Sequence, residues 1–243
     1  MSRYANYECL KVGVAEKVAT VTLNRPQARN AINQKLIREL RTIWDDLGDD
    51  HAVNVVVLTG AGDFFSVGGD VKAMSERPGG DVLEEGEVHD PMISRRAVTR
   101  QLELDKPIIA AINGDAIGLA ATHALLSDIT VMADDARIGD THVSRVGLVA
   151  GDGGTVIWPL LIGINKAKEF LIRGTLLKVG RPSGSDWSIM SYRGRKCWQR
   201  PARSRSSSPM ARPGPSVGPS CRSTRSSRIA STCCWKRRWR WSR

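Results

Sequence analysis

The chain has 243 residues, 41% of them hydrophobic, which suits one large domain or one domain with an appendage. Its formal net charge of +11 would suggest nucleic acid or an anionic surface, but only if the charge were spread over the fold. Residues 1–178 hold 20 Lys and Arg against 24 Asp and Glu, while residues 179–243 hold 16 against the single Asp186, so the body is acidic and all the basicity is in the tail.

Residues 7–14 and 18–24 alternate apolar and polar side chains about Ala15-Glu16-Lys17, which predicts a β-hairpin. Asn30 or Asn33 can cap a helix to about Leu47, with Leu36, Ile37, Leu40, Ile43, Trp44 and Leu47 at helical spacing. The apolar run 53–59 predicts a buried strand. A glycine-rich loop follows, Phe64-Phe65-Ser66-Val67-Gly68-Gly69-Asp70, and then a short helix. Residues 75–90 are acidic and Gly-rich and read as a mobile loop. The pattern then predicts a helix over 91–104, a strand over 107–113, a helix over 118–126 and a strand over 128–133. Residues 157–161 and 165–173 read as helical. Strands alternating with helices predict an α/β fold for residues 1–178.

After Lys178 the organisation changes. Residues 179–243 are rich in Arg, Ser, Pro and Trp with no apolar period. They read either as a basic, Trp-bearing nucleic-acid tail or as a frameshifted, disordered segment. A permitted codon choice for residues 180–193, read one frame over, gives E-A-E-R-I-G-L-V-N-Y-V-V-P, an ordinary amphipathic stretch. The second reading is therefore preferred. Only Cys9 lies in the body; Cys197, Cys221, Cys233 and Cys234 lie in the tail without zinc-site spacing. One cysteine in the body argues against a disulfide framework and fits a reducing, cytoplasmic setting. The first seven residues lack a signal-peptide core, and the most apolar stretch, 107–133, is interrupted by Asp115, His123 and Asp128. No membrane span is expected.

Three segments carry a family resemblance. They are Asn24-Arg25-Pro26-Gln27-Ala28-Arg29-Asn30-Ala31, then Phe65-Ser66-Val67-Gly68-Gly69-Asp70-Val71, then Lys106-Pro107-Ile108-Ile109-Ala110-Ala111-Ile112-Asn113-Gly114 with Ala116-Ile117-Gly118 and Ser127-Asp128-Ile129. In this order and at this spacing they resemble the enoyl-CoA hydratase/isomerase (crotonase) family over residues 1–178. The resemblance implies a spiral of repeated ββα units. It also implies an acyl-CoA substrate, no cofactor beyond the coenzyme A of that substrate, no metal, and a homotrimer or hexamer. By resemblance the backbone N–H groups of Val67 and Leu119 form an oxyanion hole. Two such donors in a dry pocket stabilise an enolate, at ~3–4 kcal/mol for a single donor. Leu119 falls at a predicted helix start, where N–H groups are free. Arg25, Ala28, Gly68, Gly69, Asp70, Gly118 and Thr122 are the expected substrate contacts, with Arg25 and Arg29 near CoA phosphates. Asp70 is also placed to cap the short helix that follows it.

The acid/base equipment departs from the family. Aligned through these motifs, the two glutamates of typical hydratases fall on Thr122 and His142. A threonine hydroxyl cannot move protons at neutral pH, whereas imidazole can. His142 with Asp152, in Gly151-Asp152-Gly153-Gly154, is the expected catalytic pair, the carboxylate holding the imidazole tautomer. This resembles the His–Asp β-diketone hydrolases of the superfamily, although the spacing from His142 to the following glycine is one residue longer than usual. Three functions follow: an acyl-CoA enzyme of hydratase/isomerase type, a His–Asp-dependent β-diketone or β-ketoacyl C–C hydrolase, or an inactive remnant of the fold. Binding of specific nucleic acid or of a membrane is not expected.

Overall fold

The computed structural model describes residues 3–72 and 92–178, together with the backbone of Met190–Tyr192. The predicted hairpin consists of β1 (Leu10–Ala15) and β2 (Val18–Leu23), paired antiparallel. Its two turn residues, Glu16 and Lys17, both take positive φ, 50° and 64°, as a tight hairpin that follows the strand twist requires. α1 (Gln34–Gly48) starts where Asn33 accepts the N–H of Leu36 at 3.0 Å. It buries the six apolar residues predicted for its inner face, Leu36 to Leu47. Lys106 donates to the carbonyls of Leu47 and, at 2.7 Å, of Asp50, which satisfies acceptors at the C-terminal end of that helix.

The main sheet continues with β3 (Val55–Gly60), α2 (Ile93–Glu103) and β4 (Ile108–Ile112). A two-residue strand, β5 (Ala116–Ile117), and α3 (Leu119–Leu125) follow, then β6 (Ile129–Ala133) and β7 (Arg137–Gly139). A π-helical turn spans His142–Val146. α4 (Gly154–Ile162), α5 (Ile164–Arg173), β8 (Leu176–Lys178) and β9 (Met190–Tyr192) complete the described chain. Six strands lie in the order β1-β2-β3-β4-β6-β9, parallel from β2 onward. A second sheet has the order β5-β7-β8.

The repeat is visible in this layout. β4, β5 and α3 form one strand–strand–helix unit, and β6, β7 and α4 form the next. β3 opens an earlier unit, in which Ser66 bridges Ala116 in place of a full second strand. Each unit therefore leaves the main sheet, touches the second layer and turns into a helix. The turn after the second layer falls at Val67 in one unit, at Gly118-Leu119 in the next and at Asp140–His142 in the third. Parallel pairing of Ser66 with Ala116 and of Ile117 with Gly139 brings these three turns side by side.

β5, β7 and β8 were not predicted, because two or three residues are too short to show a period. The predicted helix at 157–161 starts earlier, at Gly154. The expected mobile loop at 75–90 lies outside the described residues. So does the expected disordered tail from 179, except that the backbone of Met190–Tyr192 runs as a strand beside β6.

Candidate active site

The loop of the second motif is pressed against the start of α3. Ser66 N–H donates to Asp115 O and Ile117 N–H donates to Ser66 O, both at 3.0 Å. A Cβ at Gly68 would lie 2.5 Å from the carbonyl oxygen of Ile117, so only hydrogen fits there. Of the two predicted oxyanion donors, Leu119 is the first residue of its helix, where an N–H has no acceptor within the helix. At seven residues α3 adds little dipole, so the contribution is that of the N–H itself. Val67 N–H donates to the carbonyl of Arg29 at 3.2 Å. An oxyanion is a stronger acceptor than a peptide carbonyl, and this long bond is the one it must share or displace.

Asn30 of the first motif is fully buried at positive φ and holds this loop from below. Its amide donates to Ala61 O and Phe64 O at 2.9 and 2.8 Å and accepts Arg25 N–H at 2.9 Å. Arg25, expected near CoA phosphate, is instead turned inward. Its guanidinium donates to the carbonyl of Ala31 and lies 3.4 Å from Asp70. The reason is tertiary: folding brings the carboxylate of Asp70, 45 residues along the chain, and the carbonyl of Ala31 to it as fixed partners. Asp70 N–H donates to Ile32 O at 3.1 Å, while the helix it would cap lies mostly outside the described residues. Ala28 sits half-buried in a short helical turn, Pro26–Ala28, and Gly69 bridges Ile32. Arg29 stacks its guanidinium over Phe64 at 5.4 Å.

His142 lies at the opening of the π-turn, and its ring rests on Gly118. Its Nε2 is 3.4 Å from Asp152 Oδ2, so the predicted pair meets. A closer partner went unpredicted. Asp140, fully buried, accepts the backbone N–H of His142 at 3.0 Å and lies 2.8 Å from Nδ1, both through Oδ1. The hydrogen bond to Asp140 raises the imidazole pKa above its usual 6.5, Asp152 adds to the rise, and burial opposes it. Burial raises the carboxyl pKa of Asp152. The interval from His142 to the following glycines begins with the π-turn, a conformation that accommodates one residue more than an α-helical turn.

Thr122 is buried, its hydroxyl 3.5 Å from Gly118 O and its methyl against Gly153. His123, its neighbour, faces away into the core, stacked on Trp44 and bonded to Gln101, and burial lowers its pKa to about 4. Donor atoms of Asp140, His142 and Asp152 all lie within 4.8 Å of one another. The imidazole stands between the carboxylates, however, with one on each nitrogen.

A helix-start N–H beside a half-buried imidazole, built on consecutive ββα turns, agrees with the sequence comparison. Residues 13–180 match the sequence profile of Enoyl-CoA hydratase/isomerase. The chain belongs to this family. Short-chain-enoyl-CoA hydratase of Clostridium acetobutylicum is 36% identical over 164 residues, 67% of this chain and 60% of that protein. Crotonyl-CoA hydratase of Syntrophomonas wolfei is 34% identical over 167 residues, 68% of this chain and 62% of that protein. The chain thus spans 60% and 62% of the length of these curated relatives. Among solved structures, an enoyl-CoA hydratase/isomerase of Mycobacterium paratuberculosis superposes with TM-score 0.62 at 35% identity, over 70% of this chain and 67% of that one. Enoyl-CoA hydratase of Bacillus anthracis superposes with TM-score 0.63 at 31% identity, over 71% and 65%. The α/β spiral implied by the motifs is the fold of this family member. Among the described residues no helix is long and apolar enough to cross a membrane.

Proposed function

We propose that the chain hydrates an acyl-CoA thioester bearing a double bond, with His142 as the proton carrier in place of the family's paired glutamates. The observation that carries this reading is the packing of the His142 ring on Gly118, directly before the Leu119 N–H. It puts a titratable group next to an anion donor. Val67 and Leu119 hold the thioester oxygen as negative charge develops on it. His142 takes a proton from water, the water oxygen bonds to Cβ, the double-bond electrons move into the enolate, and the proton is returned to Cα. Thr122 is too weak an acid to share this work, and its proposed part is limited to positioning water.

A second reading has one specific support, the imidazole set between Asp140 and Asp152. The same activated water could attack the keto carbon of a β-ketoacyl or β-diketone substrate and break a C–C bond. An assay panel on the full chain separates the two: crotonyl-CoA hydration, enoyl-CoA isomerisation and β-ketoacyl-CoA cleavage. Calorimetric titration with crotonyl-CoA and with crotonic acid tests the substrate class. Binding of the free acid as tightly as the thioester would reject a CoA substrate. An assembly of three or six chains belongs to the same proposal, and light scattering after gel filtration tests it.

A further inference from the structure

We infer that Asp140 is the positioning residue of this site: its buried carboxylate fixes His142 in the tautomer that carries hydrogen on Nδ1, leaving Nε2 free to take a proton. The inference rests on the reading of His142 as the proton carrier. It reassigns to Asp140 the orienting role that the sequence suggested for Asp152.

The geometry points one way. Asp140 Oδ1 already accepts the main-chain N–H of His142 at 3.0 Å, so it is an acceptor toward Nδ1 as well, at 2.8 Å. A ring nitrogen facing an acceptor at that distance bears the hydrogen. Two bonds to one oxygen, from the backbone and the ring of the same residue, fix both the position and the rotation of the imidazole. Asp152 sits on the opposite nitrogen, farther away, at 3.4 Å. It is therefore on the working side of the ring.

The cost of Asp140 supports a role. Its side chain is buried, and among the described residues Oδ2 has no hydrogen-bond partner. A Cβ at Gly154 would come within 2.8 Å of that oxygen, so the first residue of α4 closes over it. A buried carboxylate with an unsatisfied oxygen is destabilising unless a cation compensates it. Among the described residues, the titratable groups facing His142 are Asp140 at the end of β7 and Asp152 from the loop before α4. Among the described residues the imidazole itself is the only group in contact with Asp140 that can become a cation. A fold that needed only shape at this position would be better served by an apolar residue.

The test begins on the unaltered full chain, labelled with 15N. It has four histidines, and His142 is assigned by the signals lost in His142→Gln. Above its titration midpoint the ring should be protonated on Nδ1. A neutral ring protonated on Nε2, or an even mixture, overturns the inference. The second arm is Asp140→Asn. We expect kcat to fall by about 10²-fold or more with KM within a few-fold, as for other imidazoles deprived of an orienting carboxylate. The rising limb of the pH profile should move to lower pH, because the anion that favours imidazolium is gone. Asp140→Glu should recover part of kcat. A fall in kcat with the limb and the tautomer both unchanged would make Asp140 a structural residue only. The tautomer reading needs no substrate. If the chain turned over no CoA ester, the proposed function would fail while Asp140 was still judged by the nitrogen signals.

Discussion

The His142 ring stands where a side chain at Gly118 would point: a Cβ added at Gly118 would lie 3.2 Å from Cε1 of the ring and 3.6 Å from Nδ1. Gly118 takes φ 59° and ψ −126°, a region that side chains rarely adopt. Its N–H donates to Gly139 O at 2.9 Å, and the next N–H in the chain is that of Leu119. One stretch of backbone thus sets the His142 ring and the Leu119 N–H, the proposed proton carrier and anion donor, relative to each other.

Gly118→Ala should damage activity more than stability. The backbone strain costs roughly 1–3 kcal/mol. The methyl also pushes the ring away from Leu119 by a few tenths of an ångström. Crotonyl-CoA turnover and a thermal melt on the same sample check this. Parental turnover in a folded variant would show that the contact has no bearing on catalysis.

The pH dependence follows from His142. As the base, it must be neutral, so turnover rises with pH as the imidazolium loses its proton. Asp140 and Asp152 raise that pKa, which moves the limb above the ordinary histidine value of 6.5. His142→Gln should lower kcat by about 10²-fold or more and abolish the limb, with ligand affinity largely kept. Asp152→Asn should slow turnover less. The same shift bears on stability. A raised folded-state pKa stabilises fully below the unfolded value, and the contribution is lost as pH rises through the folded one.

Thr122 and Gly153 form a pair that a double-mutant cycle can read. Gly153 has φ 119°, and a Cβ there would lie 2.8 Å from the Thr122 methyl. Gly153→Ala should destabilise by roughly 1–3 kcal/mol and disturb the adjacent Asp152. Thr122→Ala should be mild in activity, since the hydrogen bond its hydroxyl makes among the described residues, to Gly118 O, is 3.5 Å long. The double variant should recover the steric part of the loss in a urea titration but not the backbone part. Full additivity would mean the two sites do not touch.

His123 should make the fold sensitive to mild acid. It is buried and neutral, with its pKa lowered to about 4 against 6.5 when exposed. Such a group costs nothing above the unfolded value, and stability is lost as pH falls from there toward the folded value. The loss is on the order of 1–3 kcal/mol. His123→Asn should be less stable than the parent at pH 7.5, through lost packing on Trp44. The gap should narrow by pH 4.5 when urea midpoints are compared. A constant gap would place the acid sensitivity elsewhere.

The sequence by itself determined the parts whose signal is local and repeated. Alternation about Glu16-Lys17 set the hairpin, and helical spacing from Leu36 to Leu47 set α1, because burial of one face imposes those periods. The family motifs were equally legible, and the structure gives the reason for some of their residues. Asn30 and Lys106 tie loops to helix and loop ends through backbone groups, a task that tolerates little substitution. Tertiary structure alone decided the rest. Strands of two or three residues carry no period, so the second sheet, which lines up Val67, Leu119 and His142, was invisible. Arg25 looked available for phosphate until folding brought Asp70 to it. Asp140 looked like the end of a strand, two residues before a histidine. Only the turn back from β7 bends the chain so that its carboxylate meets the ring, and Gly154 then seals it from water.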